Sequence, residues 1–122
     1  MELTGKWALV GGASQGIGTA IAAILAESGA RVVLMSRGAE KLELVRKTLF
    51  EPDKHILFPV DLEHFELLPA HMETLLKSVG PIEIVINNTG GPPSSPLTAA
   101  LASDLENGFR AHILASHTIM QT

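Results

Sequence analysis

Cysteine is absent from the 122 residues, which excludes a disulfide framework, a thiolate nucleophile and a cysteine-based metal site, and agrees with a reducing compartment. Tyrosine is absent too, so no phenol is available as an acid. No apolar run approaches the ~20 residues of a membrane span. The chain enters strand-like sequence at once, without a basic region and cleavage site, so no secretory leader is expected. The nine lysines and arginines are scattered and the formal net charge is −4, which argues against a nucleic-acid surface. A cytoplasmic setting is expected. No metal site is expected either: His64 and His71 can share a helical face but have no third ligand beside them, and His112 and His117 diverge by ~140° on a helix.

What is present suits one small α/β domain, with 46% hydrophobic residues to build a core. The chain is organised around Val10-Gly11-Gly12-Ala13-Ser14-Gln15-Gly16-Ile17-Gly18-Thr19. An apolar run precedes this stretch and an alanine-rich amphipathic run follows, which predicts strand, tight turn, helix. Glycines there accept positive φ and let a ligand approach the backbone, while the free N–H groups of the new helix favour an anion, a diphosphate above all. Gly12-x-x-x-Gly16-x-Gly18 is neither the G-x-G-x-x-G fingerprint nor a P-loop, because no Lys-Ser/Thr pair follows. The alternative is a glycine-rich turn that binds nothing.

Strand and helix then alternate. Lys6 to Val10 is expected as the first strand and Gln15 to Ser28 as the first helix, with Ile17, Ile21, Ile24, Leu25 and Ser28 on its inner face and Gly29 at a left-handed cap. A covered strand follows over 31–35, then a helix from Ala39 to Leu49 that buries Leu42, Val45 and Leu49 and is broken by Pro52-Asp53. His55 to Val60 reads as an edge strand because it contains Pro59. The third helix is expected over 65–78, with Pro69 in its first turn and Gly80-Pro81 as its stop, and the fourth strand over 82–86. An irregular loop over 90–96 and a last helix capped by Ser103 and Glu106 complete the chain. Right-handed crossovers give a Rossmann-like, doubly wound parallel sheet of strand order 3-2-1-4, truncated relative to a complete fold. Ligands of such sheets bind beyond the carboxyl ends of the strands, where the order reverses.

The end of the second strand bears on the cofactor. NAD sites usually carry an acid there, which would repel a 2′-phosphate. This chain has Ser36-Arg37, and a guanidinium can hold a phosphate through two hydrogen bonds, with Ser36 and Ser14 as further donors. NADP(H) is therefore expected over NAD(H). The alternative is that Arg37 is an ordinary solvated arginine.

Gly-Gly-x-x-x-Gly-x-Gly after the first strand, Asp61-Leu62 after the third and Asn87-Asn88-Thr89-Gly90 after the fourth resemble the short-chain dehydrogenase/reductases. The openings Leu3-Thr4-Gly5-Lys6 and Gly90-Gly91-Pro92-Pro93 are similar to bacterial 3-oxoacyl-acyl-carrier-protein reductase-like members. The resemblance covers the chain from residue 3 to about 120 and implies the N-terminal half of a longer single domain.

It implies cofactor contacts from Gly12, Ser14, Gln15, Gly16, Ile17 and Gly18, with Ile17 under the pyrophosphate. Asp61 would accept from the adenine amino group and Leu62 would pack on the ring, although Asp61 also suits a helix N-cap. Asn88 and Gly90 would line the adenosine ribose. Asn87 would tie neighbouring strands.

The family's proton-transferring Tyr-x-x-x-Lys and its Ser would lie beyond residue 122. Its helix Asn aligns with His112, which can relay protons or simply be packed in a helix. The last helix builds a subunit interface in the family, so Leu105, Phe109, Ile113 and Ile119 are expected to support a homo-oligomer. Two functions stand open. One is the NADP(H)-binding part of an oxidoreductase that moves a hydride between nicotinamide and a ketone or alcohol; Thr122, falling mid-helix, favours it. The other is a non-catalytic dinucleotide-binding or scaffold module.

Overall fold

The computed structural model of the protein describes residues 3–87. The loop over 90–96, the last helix with its interface residues, and Asn88, Gly90 and His112 lie outside the described residues. Strands β1 (Trp7–Gly11), β2 (Arg31–Ser36), β3 (Ile56–Pro59) and β4 (Ile84–Ile86) alternate with helices α1 (Gly16–Glu27), α2 (Ala39–Thr48) and α3 (Leu68–Val79). All strand pairs are parallel and the spatial order is β3-β2-β1-β4, the order expected from right-handed crossovers.

Two apolar layers cover the sheet. On one face α1 and α2 close over Val10, Val32 and Leu34. On the other, Leu68, Met72 and Leu75 of α3 close over Leu9, Val33, Met35 and Phe58. Residues 32–35 are therefore buried without alternation, as befits a parallel strand covered on both sides. β3 ends the sheet at Pro59, where a missing N–H costs least.

The inner face of α1 departs from expectation. Gly18, Ala22 and Ala26 are buried, whereas Ile17 and Ile24 are 73% and 63% exposed. A stripe of small residues at four-residue spacing lets the helix approach the sheet more closely than isoleucine would allow, with Ile21 and Leu25 flanking it. Both stripes have helical periodicity. Only the contact distance to the sheet chooses between them.

The C-terminus of α1 is a Schellman motif. Gly29, at φ +96°, donates to Ala26 O (3.1 Å) and Ala30 donates to Leu25 O (3.0 Å).

Several boundaries also move, most by a single residue. α3 starts at Leu68 rather than residue 65, after a 3₁₀ segment Leu62–Leu67 that is kinked at His64. Pro69 explains the delay. A helix regular from residue 65 would need the N–H that proline lacks, whereas in the first turn none is required. β4 is paired only from Ile84, although Glu83 N–H donates to Trp7 O (3.1 Å). β3 begins at Ile56 because the residue before it takes another role.

That residue is His55, which is buried. Val32 N–H donates to its Nδ1 (3.0 Å). Nε2 therefore carries the ring proton and donates to Phe50 O (2.8 Å). The ring thus bridges β2 to the chain leaving α2. His55→Ala leaves a buried donor and an acceptor unpaired, and is expected to lower stability by about 3 kcal/mol in urea denaturation. An unchanged midpoint would contradict that role.

A second tie lies nearby. Arg46 donates to both carboxylate oxygens of Glu43 and to Pro52 O (3.0 Å), fastening α2 to the 3₁₀ turn Pro52–Lys54. The guanidinium holds the Glu43 carboxyl below its usual range.

Candidate functional site

The parallel registry brings four chain segments level at the carboxyl edge of the sheet. Gly11 pairs with Met35, Met35 with Phe58, Ser36 with Pro59, and Val10 with Ile86. Gly12, Arg37, Asp61 and Asn87 consequently leave the sheet on the same side. The order reverses between β1 and β4, so this edge is the crevice that open α/β sheets use for ligands.

The turn out of β1 is held from two sides. Ala13 N–H donates to Met35 O (3.1 Å), drawing the turn towards β2. Thr19 Oγ1 donates to Ala13 O (3.2 Å), bracing the turn from within α1. Gly12 and Gly16 take φ of +60° and +61°. Both are values at which an L side chain is strained. A Cβ placed on Gly16 would meet nothing within 4 Å, so the backbone there faces open space.

Gln15 occupies the N-cap in an extended conformation without a side-chain capping bond, and the first turn of α1 holds no acid. Its first N–H groups and positive dipole end are left for an external anion. The donor set fits a diphosphate. Ser14 is half-buried in the turn, Gly18 is buried against the sheet, and Ile17 projects outward from the first turn.

Beyond β2, Ser36 Oγ accepts from Gly38 N–H (3.3 Å), which leaves its O–H free to donate outward. Arg37 is exposed. Asp61 sits just past β3 and is partly exposed; Leu62 opens the 3₁₀ segment. Asn87 is exposed at the end of β4. The site residues called from sequence between 12 and 62 thus gather at one edge.

Two contributors were not evident in the sequence. Thr19 braces the turn from a position that reads as ordinary helix. His64 brings its Nε2 to 3.8 Å from Asp61 Oδ2, which depends on the kink at residue 64. Among the described residues no group of three or more potential metal ligands stands together, and no helix is long and apolar enough to cross a membrane.

A parallel sheet of order 3-2-1-4 with an uncapped, glycine-rich turn at its switch point defines a Rossmann-like nucleotide-binding fold. The family model for short chain dehydrogenases matches residues 6–122, and the chain belongs to that family.

An uncharacterized oxidoreductase of Staphylococcus aureus (strain N315) is 40% identical over 96 residues, covering 79% of this chain and 41% of the relative. One from Schizosaccharomyces pombe is 31% identical over 126 residues, covering 99% of this chain and 37% of the relative. Among solved structures, a metagenomic short-chain oxidoreductase in complex with NADP superposes with a TM-score of 0.86 at 31% identity, over 98% of this chain and 55% of that one. L-Sorbose reductase from Gluconobacter frateurii, complexed with NADPH and L-sorbose, gives 0.87 at 28% identity, over 99% and 47%. The chain spans about half the length of these solved relatives, and less of the curated ones.

Proposed function

We propose that this chain is the NADP(H)-binding part of an oxidoreductase that transfers a hydride between nicotinamide and a ketone or alcohol. The observation that carries this is the uncapped N-terminus of α1 beneath a turn with positive φ at Gly12 and Gly16, set where the strand order reverses. Backbone N–H groups of residues 16–18 would hold the diphosphate, Arg37 with Ser36 and Ser14 the 2′-phosphate, and Asp61 the adenine amino group. Asn88 and Gly90 would line the ribose. The bound nicotinamide supplies or accepts the hydride. The work of the residues named here is to bind and orient it.

NADP in the metagenomic relative and NADPH in the sorbose reductase support this choice of cofactor. A small carbonyl or alcohol substrate, a cytoplasmic setting and a homo-oligomer formed through the last helix belong to the same proposal. Within that substrate class, a 3-oxoacyl thioester is supported by the resemblance of residues 3–6 and 90–93. His112, standing where the family has Asn, is a candidate proton relay for the whole protein. The alternative is a non-catalytic dinucleotide-binding or scaffold module, which would show no turnover.

The test uses the single tryptophan. Trp7 begins β1, and a five-residue strand sets it roughly 16 Å from the turn, close enough for energy transfer to bound NADPH. Titration with NADPH should quench Trp7 emission and sensitise the nucleotide. Gly16→Val places a β-branched residue at φ +61° where the phosphate must approach, and should weaken binding at least tenfold. Equal affinity in both proteins would remove the turn from the site, and no binding to the wild type would refute the proposal.

A further inference from the structure

We propose that Thr19 is a positioning residue for the 2′-phosphate of the cofactor: its hydroxyl fixes the peptide that joins Ala13 to Ser14 and so aims the Ser14 N–H at that phosphate. This rests on the proposed NADP(H) reading of the turn and of Arg37.

Ala13 is the fixed point of the turn. It is fully buried, and both of its backbone groups are engaged. Its N–H donates to Met35 O (3.1 Å), which ties the residue before Ser14 to the residue before Ser36. Its carbonyl accepts from Thr19 Oγ1 (3.2 Å), which points it into α1, and no other described residue donates to it. Ser14, by contrast, is half-buried, and neither its N–H nor its hydroxyl has a hydrogen-bond partner among the described residues.

The peptide plane joins these two observations. In a trans peptide the carbonyl and the following N–H point in opposite directions, so holding the Ala13 carbonyl towards α1 turns the Ser14 N–H away from that helix. The tie to Met35 keeps Ser14 next to the Ser36-Arg37 segment. A phosphate dianion there can take the Ser14 N–H and hydroxyl together with the Arg37 guanidinium. Removing the Thr19 hydroxyl leaves a buried carbonyl without a donor, and the peptide relieves this by rotating, which carries the Ser14 N–H with it. Thr19 follows residues 16–18, whose N–H groups are assigned to the diphosphate, so its substitution leaves those donors in place. NADH lacks the 2′-phosphate, and the loss therefore falls on NADPH.

The experiment is calorimetric titration of the full chain with NADPH and with NADH. It compares the wild type with Thr19→Val, which keeps the shape and loses the hydroxyl, and with Thr19→Ser, which keeps the hydroxyl. The wild type should bind NADPH more tightly than NADH. In Thr19→Val the ratio of the NADH Kd to the NADPH Kd should fall about five- to tenfold, and Thr19→Ser should keep the wild-type ratio. A wild-type ratio of one would refute the 2′-phosphate reading, and the role of Thr19 with it. A wild-type ratio above one that is unchanged in Thr19→Val, or that falls equally in Thr19→Ser, would overturn the role of Thr19 and leave that of Arg37 in place. Should Thr19→Val not fold, the wild type decides by NMR. The Ser14 amide proton should move downfield with NADPH and not with NADH, and equal shifts with both would overturn the proposal.

Discussion

Arg37→Glu is expected to weaken NADPH binding about a hundredfold while leaving NADH within about threefold of the wild type. Charge-assisted hydrogen bonds from a guanidinium to a phosphate contribute about 1.5–3 kcal/mol. Reversing the charge replaces attraction by repulsion, which adds about 1 kcal/mol at contact in a solvated setting. Together these reach the roughly 2.7 kcal/mol of a hundredfold change.

The structure favours a large effect because Arg37 is exposed directly after β2, at the edge where the nucleotide would lie. Beside it, Ser36 Oγ is already oriented by Gly38 N–H. Titration calorimetry of both proteins with both nucleotides is the check. Equal losses for NADPH and NADH would mean that Arg37 acts on something other than the 2′-phosphate.

Gly29→Ala is expected to cost about 3 kcal/mol of stability, with Gly5→Ala as its control at about 1 kcal/mol. Both glycines have positive φ, +96° and +80°, which L side chains rarely adopt, so both substitutions carry some backbone strain. Their surroundings differ. A Cβ on Gly5 meets nothing within 4 Å, whereas one on Gly29 lies 2.8 Å from Thr4 Oγ1 and 3.1 Å from Thr4 Cα and N.

The backbone atoms of Thr4 cannot move without shifting Leu3, which is buried and whose N–H donates to Ser28 O at 2.7 Å. The substitution thus strikes the Schellman cap and the N-terminal clamp together. Urea denaturation measures both variants. Equal losses would show that conformation alone, without the contact to Thr4, makes glycine necessary at residue 29.

Much of this was legible in the sequence. The alternation of apolar runs with amphipathic ones, punctuated by Gly29, Pro52 and Gly80-Pro81, is local information, and local chemistry determines it: a backbone without a Cβ, a ring without an N–H, a period of two or 3.6. Handedness of the crossovers then leaves few topologies, which is why the order 3-2-1-4 could be expected before any coordinates. The glycine-rich turn after β1 and the basic residue after β2 belong to the same level, since each is a short stretch whose chemistry is visible in its own residues.

What tertiary structure decided are the choices between equally periodic alternatives and the contacts between distant segments. Helical spacing in α1 supports both the isoleucine stripe and the glycine–alanine stripe, and only close approach to β1 and β2 selects the latter. The ring of His55 joins residues 23 positions away in sequence, so its role has no local signature. The 3₁₀ kink that brings His64 to Asp61 likewise arises where a helix delayed by Pro69 must dock on the sheet. Periodicity and turn chemistry act within a few residues and can be read from them, whereas packing distance and side-chain bridges exist only once separate elements meet.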